Sequence, residues 1–169
     1  QPKTNSTTIG LGTSASGTLS LDDTELSRLV DGFSSITIGS TTGTGAISYA
    51  TSTNYTFNDP LTIRSATSGG GAINATAALN TGTNSLTITS GGAVAVAAVT
   101  SGNLAVTGTG ITLNGDITTS GTQGYTGAVT LGADVTLNSS SGNGNISFGS
   151  TLNSLTSARA LTINAGTGT

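Results

Sequence analysis

The sequence contains no cysteine and no histidine. Their absence removes thiolate and imidazole metal ligands, thiol nucleophiles and the general base that enzymes use most often. Charged residues make up 7% of the 169 positions, whereas soluble globular domains carry about 25%. With a net charge of -3 and only four cations, the chain has no basic patch for phosphates. We therefore expect no cofactor, no nucleic-acid partner and no enzyme.

Long hydrophobic runs are also missing. The longest, Ala93–Val99, is about a third of the ~20 residues that a transmembrane helix needs. Residues Gln1–Thr4 have neither the basic nor the apolar region of a signal peptide. We expect no membrane insertion of this segment, and we interpret the chain as an internal or mature piece. Low charge with a mean hydropathy of +0.13 favours an ordered chain over a disordered one.

An apolar-Thr-apolar triplet recurs along the chain. Its first residues are at 36, 61, 86, 111, 135 and 161, in steps of 25, 25, 25, 24 and 26. A related triplet, Ile9-Gly10-Leu11, lies 27 residues before Ile36. Regular spacing of this length is typical of stacked structural units. The six triplets are Ile36-Thr37-Ile38, Leu61-Thr62-Ile63, Leu86-Thr87-Ile88, Ile111-Thr112-Leu113, Val135-Thr136-Leu137 and Leu161-Thr162-Ile163.

Each period also contains further short alternating segments, such as Ile47-Ser48-Tyr49, which are separated by Gly, Ser, Asn and Thr clusters. Alternation places apolar residues on one face, and the clusters are turn signals. The pattern predicts an all-β, right-handed parallel β-helix of about six to seven coils, with three short strands in each ~25-residue coil. Residues 1–169 form one segment in this prediction, and coils start near residues 9, 36, 61, 86, 111, 135 and 161.

The same pattern predicts one outward column of threonines. Successive coils of a β-helix stack about 4.8 Å apart, so equivalent triplets would place their central residues in a line. Such a line is a candidate face for ice or a crystalline polysaccharide, although threonine also occurs on solvated strands simply because it is a good β-former. The predicted face consists of Thr37, Thr62, Thr87, Thr112, Thr136 and Thr162.

Residues 22–32 break the strand pattern and predict a helical insertion, with the short helix near residues 22–31. Asp22 and Glu25 have the spacing of a capping box, Leu26 and Leu29 would share one face, and Gly32 would end the helix. A helix this short is stable only against other structure. Its acidic residues are better explained as cap chemistry than as a cation site.

The run from Leu19 to Gly39, with its core Leu21-Asp22-Asp23-Thr24-Glu25-Leu26, resembles a module of giant bacterial exoproteins. These are the filamentous-haemagglutinin and autotransporter-adhesin class. The resemblance implies an outer-membrane-exported β-helical shaft at the bacterial surface or outside the cell, involved in adhesion or fibre formation. The link Phe33-Ser34-Ser35 is longer than the module's usual one.

Two other functions remain open. The first is binding of ice or polysaccharide by the threonine column. The second is a carbohydrate-active enzyme, but Asp59, Asp116 and Asp134 are single carboxylates at different phases of the repeat, and such sites need clustered carboxylates. Tyr125 is expected on a loop. Two open ends without an obvious cap would stack on neighbouring coils or on copies of the chain, and a host surface, a neighbouring cell or a glycan is a further candidate partner.

Overall fold

The computed structural model describes residues 4–169; Gln1–Lys3, on which part of the signal-peptide argument rests, lie outside the described residues. The chain is an all-β parallel solenoid of about six turns with one short helix, so the predicted fold class is confirmed. In chain order the elements are β1 (Ile9–Leu11), β2 (Leu19–Leu21), α1 (Asp23–Leu26), β3 (Ile36–Gly39), β4 (Ile47–Tyr49), β5 (Leu61–Arg64), β6 (Ile73–Ala75), β7 (Leu79–Asn80), β8 (Leu86–Thr89), β9 (Val94–Val96), β10 (Val99–Ser101), β11 (Leu104–Leu113), β12 (Ile117–Thr119), β13 (Gln123–Leu131), β14 (Val135–Asn138), β15 (Ile146–Phe148), β16 (Leu152–Ser154) and β17 (Leu161–Asn164).

The strands form three faces, and every strand pair within residues 4–169 is parallel. Face A contains β3, β5, β8, the first halves of β11 and β13, and β15. Face B contains β2, β1, β4, β6, β9, the second halves of β11 and β13, and β16. Face C contains β7, β10, β12, β14 and β17.

Alternation along each strand builds a continuous core. In β8 the burial pattern is buried, intermediate, buried, intermediate, because Leu86 and Ile88 point inward while Thr87 points outward. Burying one such aliphatic side chain stabilises the fold by about 1.5–3 kcal/mol. The same position repeats from coil to coil, so no coil buries its core alone. One inward column of face B is at most 3% exposed throughout: Ile47, Ile73, Val94, Ile111 and Val129.

The coils shorten after the third, which the sequence repeat does not show. Equivalent face A positions are separated by 25, 25, 18, 19 and 23 residues, the differences between 36, 61, 86, 104, 123 and 146. The expected coil starts near 111, 135 and 161 are therefore wrong, since Ile111 lies on face B and Val135 and Leu161 lie on face C. The expected start near 9 also lies on face B, where Ile9 pairs with Ile47.

The shortening has its cause in the turns. Residues 40–46, 65–72 and 90–93 connect face A to face B in the first three coils, whereas β11 and β13 cross that corner without leaving the sheet. At the crossing Gly127 has a φ of 129°, which favours glycine. A Cβ there would also collide with the carbonyl oxygen of Gly108 in the preceding coil.

The helix begins as predicted but is shorter. Asp22 is the N-cap and forms a complete capping box with Glu25, and the helix ends at Leu26 with Ser27 as its C-cap. Residues 28–35 are irregular, so the predicted extent of 22–31 is wrong. The chain leaves the helix because Leu26 is fully buried against the solenoid, and Tyr55 then donates a 2.9 Å hydrogen bond to the carbonyl of Leu29.

Hydroxyl side chains line two buried corners of the solenoid. At the A–B corner, the Oγ of Ser65 donates to the carbonyl of Gly71 at 2.8 Å and to the Oγ of Ser90 at 3.1 Å. At the C–A corner, Thr81 and Thr119 each donate to a nearby turn carbonyl. Small hydroxyl groups satisfy turn carbonyls that would otherwise be buried without partners. The buried hydroxyl residues are Ser40, Ser65 and Ser90 at the first corner, and Thr81, Ser101, Thr119 and Ser139 at the second.

Candidate functional site

The six predicted threonines do not form one column. Thr37, Thr62 and Thr87 stack on face A in three successive coils. In the next three coils their column continues as Ala105, Gly124 and Ser147. The predicted column therefore ends after three of its six members.

The remaining threonines lie on the other two faces. Thr112 lies on face B between Ala95 and Thr130, while Thr136 and Thr162 are paired on face C. The prediction of one six-residue threonine array is wrong, because the coils shorten while the sequence spacing stays near 25. Whether any of these threonines binds a ligand stays a prediction.

The three isolated carboxylates each bind a backbone amide from another part of the solenoid. Oδ1 of Asp116 accepts the N–H of Thr136 at 2.7 Å, and Oδ1 of Asp134 accepts the N–H of Ala160 at 3.0 Å. Oδ1 of Asp59, which is 3% exposed, accepts the N–H of Gly32 at 3.2 Å. Hydrogen bonds to an ionised acceptor are among the stronger ones. These carboxylates therefore connect successive parts of the chain and do not converge on a common point.

A fourth carboxylate, Asp23, holds the N-terminal end together. It accepts hydrogen bonds from the N–H and Oγ of Ser52 and from the N–H of Thr13. These bonds, with Ser52 the larger contributor, hold the pKa of Asp23 below its ordinary value of 3.8. The acidic residues of the helix thus act in capping and cross-linking, as the sequence indicated. Within residues 4–169 no three Asp or Glu side chains are grouped as a metal site.

A buried polar cluster was missed by the sequence interpretation. Gln123 is 0% exposed and occupies the inward column that holds Leu86 and Leu104 in the coils before it. Its Nε2 donates to the carbonyl of Asn138 at 3.0 Å, and its Oε1 accepts the hydroxyl of Tyr125 at 3.0 Å. The cluster satisfies its own polar atoms, so it acts as a packing element of the core.

Tyr125 itself corrects a prediction, because it is 1% exposed in β13 and does not lie on a loop. Its ring stacks on Phe148 in the last coil, with centroids 5.3 Å apart and planes 13° apart. Burial raises the pKa of Tyr125 well above its usual range. The neighbours Gly124 and Thr126 resemble turn residues in the sequence, but they are the outward positions of a regular strand. No aromatic sugar platform is formed by this residue.

The exterior of face B is small and uncharged. It is three residues wide, since each strand contributes its outward residue and the two positions that flank the inward pair. No charged side chain occurs in the strip across the five coils from β4 to β13. Its members are Ala46, Ser48, Ala50, Ala72, Asn74, Thr76, Ala93, Ala95, Ala97, Gly110, Thr112, Asn114, Ala128, Thr130 and Gly132.

The two ends of the solenoid differ, although the sequence predicted two open ends without a cap. At the N-terminal end, β1 lies between β2 and β4, and Leu26 of α1 is buried in the core cluster. Gly32 and Leu29 bond to the first coil as described above. At the C-terminal end the inward positions lose their cover, and Ile163 is 50% exposed. Residues 19–33 are called the N-terminal cap below.

None of the helices in the described residues is long and apolar enough to cross a membrane. No protein-family model, curated protein or solved structure matches the chain. What the findings establish is therefore the parallel β-solenoid itself.

Proposed function

We propose that this chain is a non-enzymatic shaft segment of a large bacterial protein that is exposed on the cell surface or secreted. In the proposal it belongs to the filamentous-haemagglutinin and autotransporter-adhesin class that its Leu19–Gly39 run resembles. The segment would hold an adhesive region away from the cell or contribute length to an extracellular fibre. Its sequence features and its fold support the same conclusion from different directions.

The observation that carries the proposal is the continuity of the core. Parallel ladders extend along the solenoid on all three faces, and the inward columns run without a gap from Ile9 to Leu137. Each coil is stabilised by its neighbours, so the structure resists bending and local opening. Six coils at about 4.8 Å each give a rod of about 29 Å. The carboxylates and the buried glutamine serve this architecture, and the outer faces carry small neutral residues.

The location can be tested on the cells that produce the protein. Antibodies against the 169-residue chain are expected to label intact cells or the culture medium, and protease added outside the cell is expected to remove the cell-bound signal. A cytoplasmic protein from the same cells serves as the control and should stay unlabelled and uncut. Labelling that requires permeabilised cells would refute a surface or secreted shaft.

The shaft and the face binder can be separated on the purified chain. Replacing Thr87 and Thr112 by lysine places one charge on face A and one on face B, and both positions are outward, so folding should persist. A shaft loses nothing by this change. We expect the wild-type chain to show no thermal hysteresis in ice growth and no retention on crystalline polysaccharide. Hysteresis or retention that the two lysines remove would support binding and contradict the proposal.

A further inference from the structure

The two ends of the solenoid differ in charge. The N-terminal cap carries Asp22, Asp23, Glu25 and Asp31, with Arg28 as its one cation, whereas Arg159 is the single charged residue in 141–169. Charges beside an edge strand discourage pairing with another chain. Two N-terminal ends would therefore repel each other, while two C-terminal ends would not.

The C-terminal end also presents free strand edges at one level. Within the described residues β15 and β16 each pair only with β13, and β17 pairs only with β14. The start of β15 is partly covered, because the N–H of Ile146 donates to the carbonyl of Thr169 at 2.7 Å. β16 lies on the face away from that covered corner. It is followed by Leu155, whose side chain is 60% exposed.

Head-to-tail stacking of two copies does not fit the shapes of the ends. At the N-terminal end face B extends two strands beyond β4, through β1 to β2, but face A begins with β3 in the same coil as β4. If β2 of one copy paired with β16 of another, β15 would face a gap of two strand spacings, about 10 Å. The apolar residues of the last coil would stay uncovered.

We propose that the C-terminal end binds the C-terminal end of a second copy, with β16 pairing antiparallel to the partner's β16 about a twofold axis. The twofold reverses the direction of the partner's strands, so the contact adds strand to strand at a free edge. Each copy has one such end, and the contact therefore closes as a dimer and does not propagate into a fibre. The inference rests on the proposed function in naming the partner of the shaft, and it would join two shafts into one longer rod.

The first test compares two exposed aliphatic residues, one at each end. Leu155→Asp changes a residue that is 60% exposed beside β16, and Val30→Asp changes a residue that is 65% exposed in the N-terminal cap. Sedimentation and light scattering over a range of concentrations should show dimers for the wild type and for Val30→Asp. Leu155→Asp should weaken dimerisation at least tenfold while its circular dichroism stays that of the wild type. A monomeric wild type, or equal effects of the two variants, would overturn the proposal.

The second test uses the absence of cysteine from the chain. Asn153 is the central outward residue of β16, and Ser20 is its counterpart in β2. Across the twofold, Asn153→Cys meets the same residue of its partner within the separation that a disulfide spans. Mild oxidation should cross-link Asn153→Cys, should not cross-link Ser20→Cys, and should give no mixed dimer when both are present. A mixed dimer would show head-to-tail stacking, which contradicts the proposal but leaves the surface location untouched.

Discussion

The register of the shortened coils can be tested with engineered disulfides. In the structure Thr87 pairs with Ala105, because the coil between them has 18 residues. The regular spacing of the sequence would instead place Thr87 beside Thr112, which lies on face B. Because the chain has no cysteine, two double variants can be compared without background. They are Thr87→Cys with Ala105→Cys, and Thr87→Cys with Thr112→Cys.

The first variant should close and the second should not. Neighbouring parallel strands are about 4.8 Å apart, inside the Cα separation of about 4.4–6.8 Å that disulfides adopt. Closing a loop of 18 residues, the difference between 105 and 87, should stabilise the chain by about 3 kcal/mol through the unfolded state. For an m value of about 2 kcal/mol/M, the urea midpoint should rise by about 1.5 M on oxidation.

The assay is urea unfolding of each variant with and without reductant, together with mass spectrometry to count free thiols. The expected result is a shift for Thr87→Cys with Ala105→Cys that the reductant abolishes, and free thiols in the other variant. Ready closure between Thr87 and Thr112 would refute the register and would restore the uninterrupted 25-residue coil. Closure in both variants would show that the coils slip, which also contradicts the structure.

Three further predictions concern the core and the N-terminal end. Ile88→Asp should abolish cooperative thermal unfolding, since it buries a carboxylate at a position that is 0% exposed, whereas Thr87→Ser should leave the melting temperature nearly unchanged; similar melting of the two would contradict the inward and outward assignment. Tyr125→Phe should cost about 1 kcal/mol or more in urea unfolding, because Oε1 of Gln123 loses its donor; unchanged stability would remove the role of the cluster. Asp23 has a lowered pKa, so its stabilisation is present above pH 3.8 and is lost as the pH falls through the lower folded value. Asp23→Asn should therefore be less stable than the wild type at pH 6 and should approach it at pH 2, and a constant difference across that range would contradict the assignment.

The strands could be predicted from the sequence because their signal is local. A triplet such as Leu86-Thr87-Ile88 is long enough to define an inward and an outward side, and the structure places these residues as the alternation indicated. The capping box of Asp22 and Glu25 is local too, and it is present. The length of the helix was overestimated because burial of Leu26 and the contact of Tyr55 with Leu29 are tertiary. No pattern within residues 22–32 reports them.

The polar core shows a second limit. Gln123-Gly124-Tyr125-Thr126 has the composition of a turn, and only the pairing of β13 with β11 makes it a strand. Once Leu104 is directly beside Gln123, the glutamine must point inward with the aliphatic column. A buried amide is tolerated there because Asn138 and Tyr125 satisfy it. The signal that could have found it is the alternation of Gln123 with Tyr125, read together with Val129 and Leu131 in the same strand.

The threonine column failed for a reason that applies to any solenoid of this composition. The triplets at Ile36, Ile111 and Val135 are nearly interchangeable, yet they lie on faces A, B and C. An inward aliphatic pair with a small outward residue fits any of the three faces, so the triplet carries no information about which face it joins. That choice depends on the residues between the triplets, and the corner that β11 crosses without a turn advances every later triplet by one face. A periodic sequence therefore establishes that coils stack, while the turns decide which outward side chains become neighbours, and a proposal for a binding face on such a rod has to begin from the turns.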